Sequence, residues 1–163
     1  MFGKVAVFAA LIILAVIFQT FFAGLISIEK VTPDIFVILV VYLTLTRSLT
    51  HGVVFAFVSG IIEGSSDPRM FGLGALLKII LALAVFFLST RIRLESSLAR
   101  IIVVFIAVAV HNAVYFMIAF SMDIQLVMYS TLKYALLDAV YSTIIAVILV
   151  YLSVRKLTLK FEA

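Results

Sequence analysis

The chain has 163 residues and no cysteine, and 66% of its side chains are hydrophobic while only 12% are charged; a water-soluble domain holds about 45–50% apolar and about 25% charged residues. This composition excludes a disulfide framework, a thiol nucleophile and a thiolate metal site, and leaves no stretch polar enough for a second, water-soluble domain. The formal net charge of +4 does not point to nucleic acid, because the basic residues stand in ones and twos between apolar runs, where membrane orientation explains them better.

In chain order, six apolar segments are expected: Val5–Ala23, Thr32–Thr46, Gly52–Glu63, Gly72–Thr90, Leu98–Ser121 and Lys133–Val154. A hydrocarbon core about 30 Å thick needs roughly 20 residues of helix at about 1.5 Å rise, and only internally hydrogen-bonded backbone is stable there. The runs Val5–Ile28 and Ile101–Ser121, free of Asp, Glu, Lys and Arg, meet that length. The first could be read as a signal peptide because Lys4 precedes it, but its apolar core is too long and five further segments follow. The second and third are short, with uncharged cores of 12 residues (Ile35–Thr46) and 11 residues (Gly52–Ile62). They are short spanning helices or a hairpin that enters and leaves by one face. The expected fold is therefore all-α, a polytopic bundle of about six transmembrane helices forming one transmembrane domain over residues 1–163.

Sidedness follows from the basic residues of the gaps. Lys4, Arg47, Arg91, Arg93, Arg100, Arg155, Lys156 and Lys160 fall on the face that holds both termini, against Lys30, Arg69 and Lys133 on the other. Both termini are thus expected in the cytoplasm, where basic clusters meet anionic membrane lipids. The outer turns hold Glu29, Asp34, Glu63, Asp67 and Asp123.

Several residues stand out inside the segments. Gly52, Ala56, Gly60 and Gly64 recur every four residues, placing small side chains on one stripe where a neighbouring backbone can approach. The stripe serves packing between helices of this chain or docking of a partner. Ala6 and Ala10 form a weaker pair in the first segment. Intramembrane polar groups are costly and suggest function: Lys78, about 10 Å along the fourth segment, and Asp138, about 9 Å along the sixth, stand at one expected depth. An ion pair between them, or between Lys78 and Glu63, would lower the cost of either charge. His111 and Asn112, among Ala107, Ala109 and Ala113, suit a helix-to-helix hydrogen bond. His51 is expected in a turn, and two isolated histidines give no metal-site spacing.

Catalytic and nucleotide-binding patterns are missing: there is no G-x-x-x-x-G-K-[ST], H-E-x-x-H or G-x-S-x-G. The pair Gly72 and Gly74 lacks a third glycine and a preceding strand. No cofactor is implied, and no filter sequence suggests a channel.

The stretch Pro33-Asp34, an apolar run to Tyr42, then Arg47, Gly52, Phe57, Gly60, Glu63, Asp67 and Phe71-Gly72 resembles the MreD family of bacterial rod-shape-determining membrane proteins, as do length and span count. Family members usually carry an aspartate where Glu63 stands. Each residue also has a local reason: Pro33 suits a first helical turn, Asp34 the positive end of a helix dipole, and Arg47 a cytoplasmic helix end. The resemblance implies a non-enzymatic scaffold of the cell-elongation and peptidoglycan-synthesis machinery in the bacterial cytoplasmic membrane. Its implied partners are an MreC-like protein and, through it, the MreB filament and RodA-type and penicillin-binding synthases; self-association is a further option. A six-helix chain of this size also resembles substrate-binding subunits of energy-coupling-factor vitamin transporters. In that reading Ala6 and Ala10 would dock a transporter partner, and Glu63, Lys78, His111 and Asp138 would line a micronutrient pocket. A membrane enzyme acting on lipid-linked intermediates would need a convergent acid–base pair, which the sequence does not display.

Overall fold

The computed structural model describes residues 2–22, 31–65, 71–92, 96–120 and 123–161. The described chain is helical: α1 (Phe2–Ile17) runs into a π-helical turn at Phe18–Phe22, and α2 (Ile35–Thr46), α3 (Leu49–Gly64), α4 (Leu73–Arg91) and α5 (Ser97–Ala119) follow. Then α6 (Ile124–Ser130), a second π turn (Thr131–Ala135) and α7 (Leu136–Phe161) form one continuous rod. Three helices among the described residues are long and apolar enough to cross a membrane, Leu73–Arg91, Ser97–Ala119 and Ile124–Ile148.

The short second helix is the centre of the bundle. It packs against α3, α4, α5 and α7, and Ile35, Phe36, Val37, Ile38, Val40, Val41, Leu43 and Thr44 are all buried. A helix apolar on every side belongs inside protein, so α2 need not reach both membrane faces. Its start differs from expectation. Asp34 is the N-cap, its carboxylate accepting from Val37 N–H at 2.9 Å, which leaves Pro33 before the helix rather than in its first turn. Arg47 closes the other end as C-cap.

Capping also moves two other boundaries. Ser48 caps α3 and accepts from His51 N–H, so His51 lies in the first turn of a helix and not in a turn between helices. Asp123 accepts from the N–H groups of Gln125 and Leu126 and starts the last rod at Ile124, nine residues ahead of the expected Lys133. Asp138 is therefore fourteen residues, roughly 21 Å, into its helix instead of about 9 Å.

The glycine stripe is used within the chain. A methyl group at Gly60 would stand 2.8 Å from the Gly74 carbonyl carbon and closer still to the Ala75 backbone; one at Gly52 would stand 3.1 Å from Thr44 Cβ. Ala56 and Gly64 are buried on the same helix. Between helices in lipid there is little hydrophobic drive, so close backbone approach of this kind supplies much of the packing. The stripe thus joins α3 to α4 and α2. The opposite surfaces are apolar and open: Leu76, Ile80, Leu83 and Phe87 on α4, and Ile102, Ile106 and Val110 on α5, each at helical spacing, as lipid-facing stripes are.

Candidate functional site

A half-open cavity of about 420 Å³ lies where α1, α3 and α5 end and α2 and α4 begin, beside the α6–α7 rod at Ser130, Tyr134 and Asp138. Its walls hold Gln19, Asp34, Glu63, Lys78, His111, Asn112, Tyr115, Tyr134 and Asp138, with Phe116 and Phe120 among the apolar members. The four intramembrane polar residues expected from sequence, Lys78, His111, Asn112 and Asp138, are therefore brought together from three helices. Asp34 and Glu63 join them from the stretch that resembles MreD.

Lys78 is fully buried and donates from Nζ to Glu63 Oε2. Of the two partners considered for it, Glu63 is the one it takes, and the pair bridges α3 and α4. Burying an ammonium this completely is tolerable only with a charged partner. Glu63 keeps 49% of its side-chain surface exposed, so the pair is enclosed at the lysine and open at the carboxylate.

Asp138 is held differently. Asn112 Nδ2 donates to its Oδ2, and Ser142 Oγ donates to its Oδ1 at 2.8 Å. The same Ser142 hydroxyl accepts from Asp34 N–H at 2.9 Å, so the entry to α2 is tied through α7 to α5. Gln19, in the π turn that ends α1, accepts from Ile35 N–H at 3.1 Å, satisfying another amide that the helix start leaves open. All these donors are neutral, and no lysine or arginine meets Asp138 among the described residues.

The helix-to-helix hydrogen bond expected of the His111–Asn112 pair is made by Asn112. His111 is 6% exposed, and its Nδ1 has no hydrogen-bond partner. Both π turns border the cavity: the first supplies Gln19, and the second begins after Ser130 and contains Tyr134. Interruptions of this sort often mark functional sites in helices. Gln19, Tyr115 and Tyr134 were not singled out by sequence; the isolated polar residues Gln19 and Thr20 in an otherwise apolar run were the available signal.

The remaining expected residues distribute as follows. Gly72 starts α4 with φ +85°, a left-handed conformation that favours glycine, close to the cavity. Pro33 is buried beside Asp34. Arg47 is exposed at the far end of α2. Asp67 lies outside the described residues, as does the Ala6 side chain, while Ala10 is exposed. Among the described residues no group of three His, Cys, Asp or Glu side chains converges to hold a metal ion. Compared with protein-family models, curated proteins and solved structures, the chain matches none of them.

Proposed function

We propose that this chain is a non-enzymatic scaffold of the bacterial cell-elongation machinery, resident in the cytoplasmic membrane with both termini in the cytoplasm, and that it acts by lateral packing against an MreC-like partner. The observation that supports this reading is convergence: Asp34 and Glu63, far apart in the MreD-like stretch, come to one rim of the bundle and share it with Lys78. Residues that meet in space make a unit of what is a scattered pattern in sequence. Because the glycine stripe is taken up between α3 and α4, the partner helix would lie on the open apolar stripes of α4 or α5, with lipid covering the rest. Through that partner the chain would sit with the MreB filament and the RodA-type and penicillin-binding synthases. The test is tagged purification from native membranes together with depletion. A co-purifying bitopic protein with an extracytoplasmic domain, and rounding of depleted cells, are expected; normal shape and no such protein would end the proposal.

One observation favours a second reading, that of a substrate-binding subunit of an energy-coupling-factor transporter. The cavity of about 420 Å³ lies within the range of about 300–1,000 Å³ usual for small-molecule sites. Glu63, Lys78, His111 and Asp138, the residues that this reading assigns to a pocket, all line it. Loss of uptake of one vitamin on depletion, with cell shape retained, would favour this reading over the scaffold.

A further inference from the structure

The two π turns are held unequally. The first, Phe18–Phe22, is pinned by Gln19, which accepts from Ile35 N–H. The second, Thr131–Ala135, carries a surplus residue in an otherwise regular rod: Leu136 N–H bonds to Thr131 O, five residues back, where an α-helix would use Leu132. Its first residue is badly served. Thr44, Thr46, Thr90 and Thr143 each donate to a carbonyl three or four residues back, whereas the Thr131 hydroxyl is buried with no partner among the described residues. Such a group is rare in native structures and can be a reservoir of strain. The neighbouring Leu132, which could fill that place without a polar atom to satisfy, is 62% exposed. Against this stands a clasp across the turn. Tyr129 and Tyr134, five residues apart, would lie on different sides of an α-helix; here their rings meet edge to face with centroids 6.3 Å apart, and Lys133 Nζ lies 5.4 Å from each centroid. Ahead of the turn, α6 has little to hold it: Ile124, Gln125, Leu126, Met128 and Tyr129 are exposed, and Ser130 is buried in the cavity wall.

We infer that the second π turn is a register switch in the cavity wall: release of its surplus residue into α-helix turns α6 by about 100° and carries it outward by about 1.5 Å while α7 stays in place. Each residue up to Leu132 then stands where its predecessor stands now. Thr131 takes the place of Ser130 on the cavity wall, Leu132 takes the enclosed place of Thr131, and the contact between Tyr129 and Tyr134 opens. A contact made at the wall and one made on the outer face of α6 would each favour one register, so the switch links the two surfaces. It concerns helix register alone and rests on neither reading of the function.

The chain has no cysteine, so a pair of introduced cysteines can carry nitroxides for double electron–electron resonance on the full chain in lipid nanodiscs. Leu126→Cys with Leu83→Cys joins α6 to α4; Ile144→Cys with Leu83→Cys lies beyond the turn and is the control. These positions are exposed. For the first pair two distance populations are expected, separated by up to about 8 Å, the chord of a turn of about 100° at a side-chain radius of about 5–6 Å; the control should give one. Tyr129→Leu, which unfastens the clasp, should raise the second population at least twofold. Thr131→Val, which keeps the shape and removes the unpartnered hydroxyl, should lower it by as much. Deleting Leu132 takes out the surplus residue and should leave one population at the present distance. A single distance in the parent chain and in Tyr129→Leu alike, or two populations that neither point variant moves, would overturn the switch.

Discussion

The bundle is closed by two seams built on opposite principles. Between α3 and α4 the helices approach because side chains are missing: Gly60 lies directly against Gly74 and Ala75, with Lys78 and Glu63 linked at the rim. Between α5 and α7 the helices keep ordinary side chains and are joined by polar contacts, Asn112 to Asp138 and on through Ser142 to α2. The first seam fixes a distance and tolerates no added atom. The second fixes an orientation and can lose its Asn112–Asp138 contact without losing the interface, because Val104, Ala107 and Val108 of α5 share one buried apolar cluster with Ala139 and Ala146 of α7.

This difference can be tested by substitution. Gly60→Leu should have the largest effect, more than about 3 kcal/mol of overpacking against backbone that cannot move aside, read as loss of monodisperse protein on size exclusion. Glu63→Ala should cost about 3 kcal/mol by removing the hydrogen-bonded partner of the buried Lys78 ammonium. Lys78→Met combined with Glu63→Gln should recover most of that loss in detergent unfolding, and failure to recover would show that the pair does more than neutralise. Gly72→Ala, which forces a side chain into the left-handed region, should cost about 1–2 kcal/mol. Asn112→Leu should cost only about 0.6–1.7 kcal/mol, the range of interhelical hydrogen bonds in membranes. A larger loss there would mean that the second seam is as unforgiving as the first. Phe87→Ala, on a lipid-facing surface, should stay within about 0.5 kcal/mol and serves as the control.

How much of this was legible depended on where the information resides. The fourth and fifth segments were plain because an uncharged run of sufficient length has few alternatives in lipid. The second was ambiguous because its burial comes from neighbours rather than from its own length. The last helix was expected to start too late because Gln125, Tyr129, Ser130 and Lys133 interrupt its apolar run. In the structure Asp123 caps it and Lys133 rests over the rings of Tyr129 and Tyr134, 5.4 Å from each centroid, which lets a cation sit on that helix. For the site, Lys78, His111, Asn112 and Asp138 were visible singly as polar residues in apolar context. Their partners were less so: Lys78 had two candidates, and the choice of Glu63 depends on the close approach that Gly60 permits. Nothing in local sequence marked Ser142, whose hydroxyl connects two carboxylate-bearing elements only after α2 and α7 have come together.

The non-helical run Val31–Asp34 has a consequence of its own. Its last residue is bonded to Ser142, a buried residue in the middle of the rod that begins at Ile124, so unwound peptide is tied into the helices. Extended main chain within a membrane survives only where protein encloses it or where it fronts an aqueous vestibule, and here Val31 and Pro33 are enclosed while Thr32 and Asp34 front the opening. Opening and unwound peptide therefore go together: winding 31–34 into helix would break the Asp34–Ser142 bond and take Thr32 and Asp34 from the wall that they form.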